Sequence, residues 1–260
     1  MSELAVCVSN QGAEKDTHIV IDAIKEAGFE KVFVQWYDKD YLVSQQETVN
    51  YCKKQNLEII FAHLGYQNIN DLWLDIPEGE ALVERYCRNI DECKANDIDM
   101  VMMHLCSKSE APGPNELGLD RLKRIVAHGE KAGVKVPFEN TKIPGYQEYV
   151  CANIAEAGNC YDAGHVHAYF GDKYNYGLFK NRYYCIHLHD NFGSEDEHLL
   201  PFDGTLDWPY VLKQLKNNNY DGPLTLEIIY HNDYANMPIL EFFEEGYKRG
   251  KKLQQIWDSI

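Results

Sequence analysis

Short apolar runs alternate with longer amphipathic runs along the 260-residue chain, and this repeat restricts the fold more than any other feature. The apolar runs predict strands at Leu4–Val8, Lys31–Trp36, Glu58–His63, Met100–His104, Lys135–Glu139, Asn159–Asp162, Tyr184–His189 and Leu224–Ile228. The amphipathic runs predict helices near residues 14–27, 43–55, 79–96, 115–132, 145–157, 174–181, 207–217 and 238–257. Eight strand–helix units favour a single α/β domain over residues 1–260, a closed parallel (β/α)8 TIM barrel. A GxGxxG nucleotide loop is missing, which weakens the alternative of an open sheet.

Composition limits the location and the partners of the chain. No run of about 18 apolar residues occurs, and the first residues lack the order of a secretory signal, so we expect a cytoplasmic protein without a membrane partner. The formal net charge of −16 and the lack of a basic stripe argue against nucleic acid as a partner. The eight cysteines include no CxxC pair, and we interpret them as buried thiols. The sequence leaves open whether the protein forms a homo-oligomer.

Metal-binding side chains lie at or near the carboxyl ends of the predicted strands. They are His63, His104, Glu139, Asp162, His165, His187 and Glu227. The carboxyl ends of barrel strands form the rim where active sites are built, so these residues are expected to converge. An ionised Glu139 or Glu227 in such apolar surroundings is costly without a cation or hydrogen-bond donors. The pattern predicts a site for a divalent metal.

The segment His187–Asn191 contributes most to this prediction. Strand alternation sends His187 and His189 to one face, and Asp196 and His198 follow closely. Taken singly, His63 or His104 fits a hydrogen-bonded core histidine equally well, and Glu227 fits an internal salt bridge. We leave His167 and His189 undecided. Solvated or structural roles are expected for the remaining histidines considered, which are His18, His128 and His231.

The polar residues also occur in a recognisable order of short motifs. These are Phe61-Ala62-His63, His104, Phe138-Glu139-Asn140-Thr141, Tyr161-Asp162-Ala163-Gly164-His165, His187-Leu188-His189-Asp190, Asp196-Glu197-His198 and Leu226-Glu227. This order resembles the xylose isomerase-like barrel superfamily over nearly the whole chain. That superfamily includes sugar isomerases, sugar epimerases such as the tagatose 3-epimerases, and the endonuclease IV family.

The resemblance implies a metal site in two versions. The epimerase branch implies one divalent metal, commonly manganese, held by the residues that match Glu139, Asp162, His187 and Glu227, with His165 contacting the substrate. The endonuclease IV branch implies three zinc ions and nine ligands. The five additional ligands would then be His63, His104, His165, Asp196 and His198.

The sequence departs from both branches. Against the nuclease stand the acidic composition, the shorter chain and the absence of basic rim loops. Against the epimerase pattern, Gly193 replaces an arginine that often follows the strand-seven histidine. The segment Asp196–Trp208 looks like that of many sugar isomerases, and we therefore favour a metal-dependent isomerase or epimerase of a sugar or sugar phosphate. An endonuclease IV-like phosphodiesterase acting on abasic DNA, a metal-dependent dehydratase and a non-catalytic binding protein stay as alternatives.

Proton transfer beside a carbonyl needs an acid, a base and a positive charge that stabilises the enediolate. We assign the acid and base roles to Glu139 and Glu227. Substrate contacts are predicted for His165, His63, His104, Trp36 and Lys142. Trp36, with Tyr66 and Trp73, suits an apolar wall, although ordinary packing explains these three equally well. Lys142 suits an anionic substrate group, with a solvated lysine as the equal alternative.

Overall fold

The computed structural model describes residues 3–9, 16–37, 44–107, 110–230 and 232–260. Within these ranges, parallel strands form a ring that helices surround, and the predicted α/β barrel is confirmed. The strands are β1 (Leu4–Val8), β2 (Lys31–Trp36), β3 (Glu58–Leu64), β4 (Val101–Met102), β5 (Pro137–Glu139), β6 (Gly158–Asp162), β7 (Tyr183–His187) and β8 (Leu224–Leu226). The helices are α1 (Thr17–Glu26), α2 (Gln45–Lys54), α3 (Pro77–Ala95), α4 (Glu116–Ala132), α5 (Tyr146–Asn153), α6 (Ala163–His165), α7 (Trp208–Asn217) and α8 (Ile239–Ser259).

The ring consists of two arcs. The long arc has the strand order β4-β3-β2-β1-β8, and the short arc has the order β5-β6-β7. Isolated bridges close the ring on both sides, with Met103 opposite Phe138 between β4 and β5, and Leu188 opposite Leu226 between β7 and β8. The backbone N–H of Glu227 donates to Leu188 O at 3.1 Å, so the second seam reaches the end of β8.

The strands at these seams are shorter than predicted. The run from Met100 to His104 predicts a five-residue strand, but β4 covers Val101–Met102 alone. Met100 and Met103 pair with the short arc through single bridges, so the regular ladder stops before His104. Similarly, β7 ends at His187 rather than at His189.

The helix predicted at residues 174–181 is wrong. The chain forms a 3-10 turn at Tyr176–Phe179 there, and the helical residues after β6 come earlier, in α6 and a π-helical turn at Val166–Phe170. Tyr174 and Tyr176 both turn inward: the Tyr176 hydroxyl lies 2.8 Å from that of Tyr161, and the Tyr174 ring meets the Tyr161 ring edge-on at 5.4 Å. Packing of these rings against β6 outweighs the local helical pattern.

An apolar plug fills the barrel below the rim. Its buried members are Cys7, Phe33, Phe61, Met102, Cys160 and Cys185. The rings of Phe33 and Phe61 stack on the imidazole of His187, with centroids 5.0 and 5.7 Å away. The space beneath His187 is therefore filled by apolar side chains.

Two compositional features can be checked against the fold. All eight cysteines are free thiols, and all are buried except the half-buried Cys87, as expected. Among the helices of the described ranges, none is both long and apolar enough to span a bilayer.

Candidate metal centre

The predicted metal-binding side chains meet at the carboxyl end of the barrel. They are His63 in β3, His104 after β4, Glu139 ending β5, Asp162 ending β6, His187 ending β7 and Glu227 after β8. Parallel strands end at the same edge, so residues distant in sequence face one space.

Four of these residues form a compact group, here called the central cluster: Glu139, Asp162, His187 and Glu227. Their ligand atoms lie within 4.8 Å of one another, and none of the four is more than 5% exposed. His187 Nδ1 lies 2.7 Å from Glu139 Oε1, 3.1 Å from Glu227 Oε2 and 3.7 Å from Asp162 Oδ2. A single imidazole nitrogen therefore faces three carboxylates.

The carboxylates of Glu139 and Glu227 are held in their ionised form. Burial raises the pKa of Glu139, but the charges of His104 and His187 outweigh it and hold that pKa well below its usual range. Burial also raises the pKa of Glu227, but the charge of His187 outweighs it and lowers that pKa to about 2. The pKa of His187 shifts upward, because Glu227 and Glu139 outweigh the effect of burial. The negative charges of Glu139 and Glu227 therefore lie close together in a buried space.

The central cluster has the properties of a divalent cation site. Glu139 Oε2 is buried, and His104 Nε2, at 2.6 Å, is the group beside it. The described residues lining the cavity above the cluster include no lysine or arginine to neutralise the carboxylates. Carboxylate oxygens and imidazole nitrogens are ligands that suit manganese or zinc. The residues present thus fit the predicted metal.

Three further histidines have their ring orientation set by the backbone. Each directs Nδ1 at a carbonyl oxygen: His63 at Leu64 (3.0 Å), His165 at Asn140 (2.8 Å) and His198 at Glu227 (2.9 Å). A carbonyl only accepts, so Nδ1 carries the hydrogen and Nε2 is the atom directed elsewhere. This second contact is the usual support of a metal-binding imidazole.

These histidines differ in charge. Burial, aided by His104, lowers the pKa of His63 to about 4, so its imidazole is neutral at pH 7. Burial acts in the same direction on His198, but Asp196 outweighs it and raises the pKa to about 9. Asp162 and Asp196 similarly overcome burial and raise the pKa of His165. Metal binding at His165 or His198 would therefore displace a proton.

Two outer groups adjoin the central cluster. His63 and His104 form one with Glu139, and Asp196 and His198 form the other. The third member of the second group is His189, whereas the family resemblance implied His165. His165 Nε2 still lies 3.1 Å from Asp196 Oδ2. All nine residues of the implied three-metal set thus occupy one end of the barrel, with His189 added.

Two small connected cavities lie above these groups. The inner one has a volume of about 70 Å³ and reaches the carboxylates of Glu139 and Glu227. The outer one, of about 170 Å³, leads from His104 and Asp196 to Lys142. Lys142 lies on the outer wall, with Nζ 5.2 Å above the ring of Tyr169. A larger groove of about 610 Å³ lies against α8 and shares no lining residue with them.

The predicted substrate contact of Trp36 is corrected by the structure. Its ring lies between the strands and the helices, where Nε1 donates to Glu92 Oε2 of α3 at 3.2 Å. Strand alternation instead sends Gln35 into the inner cavity. Trp73 also packs away from the site and donates to Leu105 O at 2.7 Å, whereas Tyr66 lines both cavities and stacks on His104 at 4.3 Å.

The sequence interpretation missed two supporting residues. Asn140 holds Asp162 through both backbone groups: its Nδ2 donates to Asp162 O and its Oδ1 accepts from Asp162 N, each at 2.9 Å. Asp190 is fully buried and accepts hydrogen bonds that fold the loop carrying Asp196 and His198. Asn140 directly follows the predicted ligand Glu139, and Asp190 directly follows His189, so their places within the quoted motifs are the signal that could have indicated these roles.

The remaining histidines lie where expected, as far as the structure describes them. His18 stacks on Tyr51 at 4.0 Å, and His128 Nε2 lies 2.8 Å from Asp91 Oδ1 on the outer helices. His167, left undecided, contacts the Thr205 hydroxyl at 2.9 Å. His231 lies outside the described residues.

Fold and site together define a (β/α)8 barrel whose rim carries a buried cluster of carboxylates and imidazoles. A model of the family described as xylose isomerase-like TIM barrel matches residues 21–253. The chain belongs to this family, and the predicted resemblance is confirmed.

Individual proteins match this chain either over a short stretch or at low sequence identity. A 71-residue stretch is 44% identical to the uncharacterized protein y4fM of Sinorhizobium fredii (strain NBRC 101917 / NGR234), covering 27% of this chain and 23% of that protein. A xylose isomerase-like TIM barrel/4-hydroxyphenylpyruvate dioxygenase fusion protein superimposes with a TM-score of 0.79 and 18% identity, over 98% of this chain and 43% of the fusion. This chain therefore spans less than half of either protein.

Two solved structures match over nearly their whole length. D-psicose 3-epimerase with D-tagatose, from Clostridium cellulolyticum H10, has a TM-score of 0.76 and 12% identity, covering 99% of both chains. The IOLI protein with a bound zinc atom has a TM-score of 0.75 and 15% identity, covering 100% of this chain and 99% of the other. At such identities these similarities demonstrate the fold.

Proposed function

We propose that this protein is a divalent metal-dependent isomerase or epimerase that moves a proton beside the carbonyl of a sugar or sugar phosphate. The observation that carries the proposal is the pair of buried glutamates, Glu139 and Glu227, each within 3.1 Å of the same nitrogen of His187. The barrel family and its epimerase-like neighbours support the same class of chemistry.

The residues of the central cluster have two proposed roles, metal binding and proton transfer. Glu139, Asp162, His187 and Glu227 would hold one cation, manganese or zinc. Bound there, a divalent cation supplies positive charge that stabilises an enediolate. One glutamate, as the carboxylate, would take the proton from carbon on one face of the substrate, and the second glutamate, protonated in that step, would give its own proton to the opposite face. The apolar plug beneath His187 would exclude water from below.

The substrate would occupy the connected cavities above the cluster. His63, His104 and His165 face it and bind its hydroxyl groups, and Lys142 at the outer end binds an anionic group such as a phosphate or a carboxylate. The outer cavity, of about 170 Å³, extends to Lys142 and suits the tail of a short sugar chain.

Solvent isotope exchange tests the proton transfer. We expect the metal-loaded protein, incubated in heavy water with a panel of three- to six-carbon ketoses, aldoses and their phosphates, to introduce deuterium at the carbon beside the carbonyl, because a carboxylic acid proton exchanges with solvent. Proton NMR detects this exchange as loss of the substrate's own carbon-bound hydrogen signal, whichever product forms. Complete retention over many turnovers, with the Glu139→Gln and Glu227→Gln variants still near the original rate, would refute the acid and base roles.

A second function is favoured by one observation. The nine residues of the implied three-metal set converge, and three of their histidines have Nδ1 held by backbone carbonyls, so we also propose a three-zinc phosphodiesterase as the alternative. The net charge of −16 opposes binding of a DNA duplex. One groove against α8 contains Lys248, Arg249, Lys251 and Lys252, but Asp203 and Glu245 line it as well and pair with Arg249, and it shares no residue with the cavities.

We expect no incision of an abasic DNA duplex and no tight duplex binding at physiological salt. The measurement is gel-based cleavage of a labelled abasic duplex by protein loaded with zinc or manganese, together with the number of metal ions per chain. An undamaged duplex serves as the control. Robust metal-dependent incision with three ions per chain would rank the phosphodiesterase first.

A further inference from the structure

His189 contacts a carboxylate of the central cluster without belonging to that cluster. The side chain is fully buried, and its Nε2 lies 3.1 Å from both carboxylate oxygens of Asp162. The same nitrogen lies 3.6 Å from Asp196 Oδ1. It is therefore placed between the carboxylate of β6 and the carboxylate of the following loop.

The hydrogen bonds define how His189 acts on Asp162. An ionised carboxylate only accepts, so Nε2 carries the hydrogen and donates it to Asp162. His189 Nδ1 is buried and has no hydrogen-bond partner in the structure, so the Nε2 contact is the one that orients the ring. The backbone N–H of His165 donates to Asp162 Oδ1 at 2.6 Å from another direction.

The His189 ring occupies space that is free because residue 164 is a glycine. A Cβ atom on Gly164 would lie 1.9 Å from His189 Cε1, so only glycine fits at that position of α6. On the loop side, the ring stacks against His198 with the centroids 4.1 Å apart. The imidazole is thereby confined to one orientation, with Nε2 directed at Asp162.

We infer that His189 is a positioning residue that holds Asp162 in the rotamer required for metal binding, and that Gly164 provides the space for it. The inference rests on the proposed metal site of the central cluster. A ligand carboxylate that is held in place loses less freedom on binding the cation, and loss of such an outer partner typically weakens metal binding by about 10- to 100-fold.

Cobalt(II) binding to the metal-free full-length protein tests this inference. The affinity is measured by competition with a chelator, and the ligand geometry is followed by the visible absorption spectrum of cobalt. His189→Ala is expected to weaken binding about 10- to 100-fold and change the spectrum, whereas His189→Gln, which keeps an N–H donor, recovers most of the affinity. Gly164→Ala, which displaces the ring, should resemble His189→Ala.

His128→Ala is the matched control, since His128 also contacts a carboxylate, that of Asp91, but on the outer helices. Circular dichroism of each metal-free variant establishes that it is folded. Wild-type affinity and spectrum in His189→Ala would overturn the inference while leaving the metal site intact. If the wild type itself binds no cobalt, the proposed function fails as well. Equal losses in the alanine and glutamine variants would assign His189 to packing and also overturn the inference.

Discussion

Glu227→Gln is expected to weaken metal binding and remove turnover while the barrel stays folded. Glu227 is 5% exposed and lies 3.1 Å from His187 Nδ1, so the substitution removes a ligand charge and a proton-transfer oxygen together. Loss of a direct ligand should exceed the roughly 10- to 100-fold weakening caused by loss of an outer partner. Loss of a general acid or base adds about 10²- to 10⁴-fold in rate.

The fold should tolerate this change because glutamine has nearly the same shape and one negative charge fewer in a crowded group of carboxylates. Metal content per chain, isotope exchange and circular dichroism are the measurements. Glu130→Gln, on the exposed face of α4, is the control and should behave as the wild type. Full metal content with full turnover in Glu227→Gln would show that the central cluster is wrongly assigned.

Asp190→Ala should have the largest effect on stability. The buried carboxylate accepts four hydrogen bonds: at Oδ1 from Asn191 N (2.9 Å) and Leu206 N (3.2 Å), and at Oδ2 from Phe202 N (2.9 Å) and Trp208 Nε1 (3.0 Å). Each buried donor left without a partner costs about 1–3 kcal/mol. We therefore expect the free energy of unfolding to fall by at least about 3 kcal/mol, a large part of the ~5–15 kcal/mol typical of a domain.

Urea denaturation of the metal-free protein measures this loss. Asp190→Asn should also be strongly destabilised, because its amide NH2 would face donors where Asp190 has an acceptor. Asp207→Ala is the control: Asp207 caps α7 by accepting from Tyr210 N at 3.0 Å, and loss of such a cap costs about 1 kcal/mol. Asp190→Ala with stability equal to that of the control would contradict the role of Asp190 in folding the loop.

The parts of the fold predicted well are those with strong local patterns. The bounds of β1 and β2 agree with the apolar runs, because each run is short and ends at a polar residue or a turn. The rim residues are also recognisable, because His63, Glu139 and Asp162 each follow an apolar residue at or next to the carboxyl end of a strand. Convergence then follows from the parallel barrel alone.

Other features depend on contacts that are distant in sequence. The apolar side chains of β2 do not reveal which of its faces points into the barrel. Trp36 packs between the strands and the helices, whereas Gln35 lines the inner cavity. The partner of His189 is Asp162 at the end of β6, and Asp190 accepts from Trp208, 18 residues further along the chain. Spacing along the chain does not specify either contact.

The two arcs of the barrel bear on how the molecule is assembled. Glu139, Asp162 and His187 come from the short arc, whereas Glu227 follows β8 of the long arc. In the described chain, isolated bridges and backbone hydrogen bonds join the arcs at both seams, in place of the regular ladders found within each arc. An ion bound by residues of both arcs would cross-link them beside the seam between β7 and β8. Its binding free energy would add to the free energy of unfolding of the whole barrel, and this stabilisation would grow with metal concentration by mass action.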